Sequence, residues 1–340
     1  MSAVYDFVLG TGGVGKGILF KLIGNHDLGR NESRLGVLSD DQDYCKLHII
    51  LNYVAALSDP ALPVYAISRV GDDPTGHELI SCMNETGINT DFLKRSAAAP
   101  TMFSVCYQFP GGEGGNITTE NAANNLVSEE DILSFFEAVN PQGRGMALAA
   151  PEVPMAARLC LLRESKQRGF TTIASVLSGE IEQFQAGGGF RLTDLLSINE
   201  DEAQGIAAFA GSPSANEPGR DCYNFIKAQN PAAALAVTCG SKGSTVFHND
   251  QATFVPAIAV KPVNTAGAGD CFLGTLMACL IRGLPLTTKK SGTPSAQKTA
   301  TLAAALKVQC KDTIDFSLNL ETLSAFAQAQ DMPDAMQIKG

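Results

Sequence analysis

The chain has 340 residues, 45% hydrophobic and 18% charged, enough for one large α/β domain with an appendage or for two domains. Its formal net charge of -10, with no Lys/Arg run, argues against a nucleic-acid partner, whose non-specific affinity comes from clustered cations. The first residues show no leader pattern, no apolar stretch is long enough to span a bilayer, and nine scattered cysteines form no CxxC pair; a cytoplasmic protein with reduced thiols and no membrane partner is expected.

Taken in chain order, short apolar runs alternate with helical patterns. Val4–Leu9 reads as a first strand and leads into the glycine-rich stretch Gly10–Gly15. The polar run 29–34 follows, then a helix over Tyr44–Leu57. Val64–Ser68 is a strand that turns at Gly71–Pro74 into a helix from about Thr75 to Glu85. Met102–Phe109 and Asn116–Thr119, joined by glycine-rich 111–115, read as a β-hairpin. Buried strands are predicted at Met146–Ala149, Thr171–Ser175, Leu195–Ile198 and Ala234–Thr238, with helices at Met155–Gln167, Glu200–Phe209 and Arg220–Ala228 between them. A second hairpin is predicted at Ser244–His248 and Thr253–Val255, while 187–189 and 211–219 are loops. A helical pattern from Phe272 to about Ile281 and another over Thr301–Val308 follow. The βαβα order predicts an α/β fold, a mainly parallel central sheet with helices on both faces. One domain over 1–340 is expected, with a small β lid from about 16–35 and 101–120.

The stretch Val263–Phe272 carries the chemistry. A strand-like lead ends in Ala266-Gly267-Ala268-Gly269, and a helix begins at once. Small residues there let backbone N–H groups of Gly267, Ala268 and Gly269 point into one concavity, where the helix adds its positive end. Such a site stabilises charge on a transferring phosphoryl group. Asp270, in the first helical turn, is placed to accept the proton of an attacking hydroxyl. Alone, the same run is equally a tight turn with Asp as a cap.

With its surroundings, the sequence resembles the ribokinase-like carbohydrate kinase (PfkB) family. Asn264-Thr265-Ala266-Gly267-Ala268-Gly269-Asp270 matches that family's D-T-x-G-A-G-D signature except at its first position. Thr238-Cys239-Gly240-Ser241-Lys242-Gly243 is similar to its T-x-G-x-x-G nucleotide loop, Asn199-Glu200-Asp201-Glu202 to its N-x-x-E, and Val70-Gly71-Asp72-Asp73-Pro74-Thr75-Gly76 to its V-G-D-D-x-x-G turn. The four stand in family order. The resemblance implies a ribokinase-like fold and an ATP- and Mg²⁺-dependent kinase acting on a hydroxyl of a small metabolite, foremost a sugar or sugar derivative. Nucleosides and vitamin-like alcohols are the alternatives within the fold. It implies that Asn199 and Glu202 orient the water shell of Mg²⁺, and that Thr238, Gly240, Lys242, Gly243 and Thr265 lie by the nucleotide. A homodimer through the β lid is compatible with it. The bland alternatives are a helix cap for Asn199 and Glu202 and a hairpin entry for Gly240 and Gly243.

The acceptor half departs from that pattern. Gly15 falls where the family has a sugar-binding Asp, and Tyr44–Ile49 where it has G-G-x-G-x-N. Candidate acceptor contacts are therefore Gly12, Gly13, Lys16, Arg30, Asn31, Arg34, Asp43 and Lys46; a solvated loop with local ion pairs is the plainer alternative. Asn264 replaces an Asp that, in the family, lies by a monovalent-cation site. Asp312 in the end loop restores the charge for K⁺ if it faces the site and leaves K⁺ weakly held if it faces solvent. Two other classes compete. Gly10–Gly15 fits a dinucleotide-binding fingerprint, or with Lys16 nearly a P-loop, and both require a helix after Gly15. A non-catalytic nucleotide-binding protein is the third class, against which Asp270 argues.

Overall fold

The computed structural model describes residues 4–111, 113–211, 217–288 and 293–332. Gly112 of the predicted hairpin turn and residues 212–216 of the predicted loop lie outside the described residues. The strands in chain order are β1 (Phe7–Thr11), β2 (Gly15–Leu22), β3 (Gly36–Tyr44), β4 (Val64–Gly71), β5 (Ile88–Asn89), β6 (Leu93–Ser96) and β7 (Met102–Gln108). They continue as β8 (Gly114–Thr118), β9 (Gly145–Ala149), β10 (Thr171–Ala174), β11 (Leu195–Asn199), β12 (Ala234–Thr238), β13 (Gly243–His248) and β14 (Gln251–Pro256).

The large sheet runs β14-β13-β12-β11-β10-β9-β1-β4-β5, with β6 also on β4. From β12 through β4 its neighbours pair in parallel, and β13 and β14 close one edge antiparallel. Strands covered on both faces need apolar residues at every position, which is why β1 and β9 read as continuous hydrophobic runs and are buried throughout. Side chains alternate between faces. Val8, Val64 and Leu148 pack with Leu47, Ile50, Phe272, Leu276 and Ala303, from helices Lys46–Leu57, Ala268–Ile281 and Ala296–Lys307. Their strand neighbours Leu9, Ile67 and Ala147 pack with Phe135, Phe136 and Leu161 on the opposite face. The expected parallel sheet with helices on both faces is what forms.

A smaller sheet, β3-β2-β7-β8, stands apart from it. The expected hairpin is present as β7 and β8, antiparallel. Two expectations are corrected here. The helix predicted from Tyr44 starts at Lys46, and Gly36–Tyr44 before it is a strand. Its Ser-Asp-Asp-Gln-Asp run has poor strand propensity; pairing with β2, and the one Thr313 hydroxyl proton shared between Asp43 at 2.7 Å and Asp40 at 3.0 Å, hold it extended. Second, the chain after Gly15 is β2, not a helix. The dinucleotide fingerprint and the P-loop both need a helix N-terminus there to face a phosphate, so neither is formed. Among the described residues no helix is long and apolar enough to cross a membrane.

Candidate active site

The carboxyl ends of β11 and β12 open onto a cavity of about 610 Å³, closed on its far side by the Thr265–Asp270 turn. In open α/β sheets this is where ligands sit. The turn owes its shape to Gly267. Its φ is 74°, a left-handed conformation that costs other residues energy, and a Cβ there would lie 2.6 Å from the Thr313 carbonyl oxygen. The helix Ala268–Ile281 begins immediately, and its first internal bond runs from Cys271 N–H to the Gly267 carbonyl. The amides of Gly269 and Asp270 precede that bond and have no intrahelical acceptor, so they are donors on offer to an anion.

Asp270 lines the cavity with its side chain 15% exposed, and Lys46 Nζ donates to its Oδ1 at 3.4 Å. Lys46 opens its own helix, and its backbone N–H donates to Glu152 Oε2 at 3.2 Å. The Asp270 charge is the main cause that raises the Lys46 pKa; burial works against it, and Glu152 and Glu202 add to it. Burial raises the pKa of both Glu152 and Glu202. A cation and three carboxylates thus share one mostly dehydrated region, with the ammonium beside the proposed base.

Asn199 and Glu202 line the same cavity and form a reciprocal cap. Glu202 N–H donates to Asn199 Oδ1 at 2.8 Å, and Asn199 N–H donates to Glu202 Oε2 at 2.9 Å. The cap fixes both side chains and leaves Glu202 its other carboxylate oxygen. Thr238, Gly240 and Gly243 border the cavity with Thr265. A Cβ on Gly269 would stand 3.9 Å from the Thr238 hydroxyl, which measures how closely the two loops meet. Gly243, however, answers to the fold: a Cβ there would sit 2.1 Å from the Val255 carbonyl oxygen. Lys242 turns outward, away from the cavity wall, and its Nζ pairs with Glu200 at 3.1 Å on the surface.

The acceptor candidates divide. Lys46 is in the site. Gly12 and Gly13 are buried against Ala150 and Glu152, where the Gly12 carbonyl accepts from Ser68 Oγ at 2.7 Å and Gly13 N–H donates to the Pro151 carbonyl at 2.9 Å. Asp43 accepts from Thr313 Oγ1 at 2.7 Å and from Cys106 Sγ at 2.9 Å, so β3 is tied to the end loop. Lys16 pairs with Glu78 at 2.9 Å. Arg34 spends its donors on the carbonyls of Ile23, Gly24 and His26 and stacks over Phe109, stapling the β2–β3 loop. Arg30 and Asn31 are exposed, and neither lines the cavity. Sequence reasoning missed Glu152, Asp40 and Lys307. Glu152 follows a buried strand as a lone acid with φ 73°, a signal that only the backbone reveals.

At the expected cation position, Asn264 is 7% exposed and both ends of its amide are occupied. Its Nδ2 donates to the Lys311 carbonyl at 2.8 Å, and its Oδ1 accepts from Ala266 N–H at 3.0 Å. The Asp312 side chain is 38% exposed and lies 3.7 Å from Lys311 Nζ, turned to solvent.

The sequence profile of the pfkB family carbohydrate kinases matches residues 51–320. The chain belongs to this family. It is 27% identical to the fructokinase of Vibrio alginolyticus over 221 residues, covering 63% of this chain and 69% of that one. It is 26% identical to the ribokinase of Schizosaccharomyces pombe over 242 residues, covering 68% and 72%. Among solved structures, the ribokinase of Arabidopsis thaliana complexed with ribose and ATP has the same fold, with a TM-score of 0.69 and 19% identity over 96% of this chain and 99% of that one. Membership of the pfkB family makes the protein a phosphotransferase with a hydroxyl acceptor.

Proposed function

We propose that the protein transfers the γ-phosphoryl group of ATP to a hydroxyl of a sugar or sugar derivative, with Asp270 as base and the amides of Gly269 and Asp270 as anion hole; the Ala268 amide, expected from the sequence to join them, donates instead to the Thr265 carbonyl at 3.2 Å. The observation that carries this is the single cavity that Asp270, the free first-turn amides and the Thr238–Gly240 loop all line. Asp270 Oδ2 is left to take the acceptor proton, because Lys46 occupies Oδ1. Lys46 holds the carboxylate's orientation, and the amides of Gly269 and Asp270 receive the charge that develops on the transferred group.

The residues present fit the nucleotide and its metal. Ala257–Val260 with Ala304, Ala305 and Val308 give the cavity an apolar end for a base, while Thr238, Gly240 and Thr265 give polar edges near the turn. Among the described residues no group of three or more His, Cys, Asp and Glu is placed to hold a metal directly. Glu202, with one free carboxylate oxygen beside Asn199, suits a Mg²⁺ ion held through its waters instead. When bound, ATP supplies the phosphoryl group and Mg²⁺ spreads its charge.

The acceptor sits, in this reading, between Asp270, Lys46 and Glu152 and the smaller sheet, which acts as a lid on a single kinase domain. Leu35, with Val37, Leu38 and Ile117 of that sheet, is exposed and offers a face for a second copy, making a homodimer. Nine free thiols and the lack of a membrane-crossing helix among the described residues suit the cytoplasm. The test is an ATP-consumption and thermal-shift screen against hydroxylated metabolites. Turnover of a sugar supports the proposal, turnover only of a nucleoside or vitamin-like alcohol moves the acceptor class, and no ATP binding at all refutes it.

A further inference from the structure

Lys307 is the last residue of the helix Ala296–Lys307 and is fully buried. Its Nζ donates to the Asn264 carbonyl at 3.2 Å and to the Ala266 carbonyl, both in the turn that leads to Asp270. Among the described residues no carboxylate lies within ion-pair distance of it. A buried ammonium aimed at carbonyl oxygens is a costly arrangement, and it holds only where oxygens replace its water shell. Burial lowers its pKa, while the thiols of Cys271 and Cys310 and the carboxylates of Asp40 and Asp43 oppose that.

The placement matters because of peptide geometry. In a trans peptide the C=O and the following N–H point in opposite directions. With the Asn264 and Ala266 carbonyls turned onto Lys307, the N–H groups of Thr265 and Gly267 turn the other way, and both residues line the cavity. The same segment is clamped from behind, since the Val308 carbonyl accepts from the N–H groups of Val263 and Asn264 at 2.7 and 3.1 Å.

A monovalent ion does not fit beside this turn. Both ends of the Asn264 amide are engaged within the protein, the 38% exposed Asp312 side chain lies beside Lys311, and the carbonyls of Asn264 and Ala266 are already filled by an ammonium. The neutral side chain at 264 belongs to the same arrangement, because a carboxylate there would draw Lys307 off the carbonyls into an ion pair. We propose that Lys307 is a built-in cation of the anion-binding turn, a positioning residue that does the work of a bound monovalent ion, so that the protein needs none.

The activity arm of the test rests on the kinase reading above; the thermal arm does not. For the wild type, kcat and the melting temperature are compared in potassium and in tetramethylammonium chloride at equal ionic strength, and both are expected to agree, kcat within about twofold. Lys307→Met keeps the length and removes the charge. In tetramethylammonium its kcat should fall by about tenfold or more, and K⁺ or NH₄⁺ should restore much of that loss and raise its melting temperature. Strong K⁺ activation or K⁺ stabilisation of the wild type overturns the proposal. So does a Lys307→Met variant that neither cation rescues in either measurement, since Lys307 would then be a core side chain only. The wild-type comparison remains decisive if the variant does not fold. Absence of any kinase activity leaves the thermal arm standing, which separates failure of this inference from failure of the functional reading.

Discussion

Replacing Asp270 by Asn separates chemistry from binding. The amide is the same size and keeps an oxygen for Lys46 Nζ, but it cannot take a proton from the acceptor. Loss of a positioned base lowers kcat by roughly 10²–10⁴-fold, which corresponds to about 3–5 kcal/mol of transition-state stabilisation. The stability cost should be far smaller. Removing one partner of a buried pair outright costs about 3–5 kcal/mol, yet here Lys46 retains an acceptor, stays 28% exposed and still feels Glu152 and Glu202. A loss of about 1 kcal/mol is expected, in line with weakening one charge-assisted hydrogen bond. The assay is steady-state kcat and KM with the best acceptor, beside calorimetric ATP titration and urea unfolding of both proteins. ATP affinity should hold within about threefold, because in the proposed reading the nucleotide meets backbone amides and the β11 and β12 ends rather than this carboxylate. Near-normal kcat in a folded, ATP-binding variant would remove Asp270 as the base.

Two further outcomes follow from the same geometry. Gly267→Ala should destabilise the protein by about 1–3 kcal/mol, since φ is 74° and the new Cβ would meet Thr313 O, and should lower kcat more than Asp270-independent ATP binding; equal kcat in the variant would refute the turn's role. Asp131 is 1% exposed and bonded by Arg69 at 2.9 Å and Lys94 at 2.8 Å. Burial alone would raise its pKa, but those side chains and the Ser128 amide outweigh it and hold the pKa at about 2. A folded pKa below the unfolded one adds stability above about pH 4 that is lost as the pH falls toward 2, worth roughly 2 kcal/mol. Urea unfolding should show that acid limb in the wild type and a flatter one in Asp131→Asn; parallel curves would show the ion pairs to be neutral in effect.

Much of the fold was legible because parallel strands buried on both faces leave continuous apolar runs, as at Met146–Ala149 and Ala234–Thr238, and because glycine and Asp punctuate the turns. The proposed phosphate side of the site was legible for the same reason: Gly267 and the helix that follows it are local features, readable from adjacent residues. The proposed acceptor side was legible only in part: Asp270 and Lys46 stood out singly, but their meeting with Glu152 comes only through the fold, and nothing local marks Glu152. The polar run 29–34 is a candidate only because the family's acceptor-binding Asp and glycines are missing nearby, and Arg34 turns inward on its own loop. The acidic strand Gly36–Tyr44 was unreadable as a strand, because Asp40 and Asp43 find their partner in Thr313, some 270 residues further on. Lys307 could not have been singled out either, since a lysine at a helix end is ordinarily a solvated charge near the carbonyl end of the dipole.

The contacts between β3 and Thr313 give the proposed lid motion a particular character. Asp40 is 4% exposed and Asp43 is shared between the end loop and Cys106 of β7. Swinging β3 outward detaches the Thr313 hydroxyl from both carboxylates, and water must enter to take its place. On the lid reading proposed above, opening is a hydration event as much as a hinge, and its rate and extent should track water activity: crowding or osmolytes that withhold water should hold the smaller sheet closed.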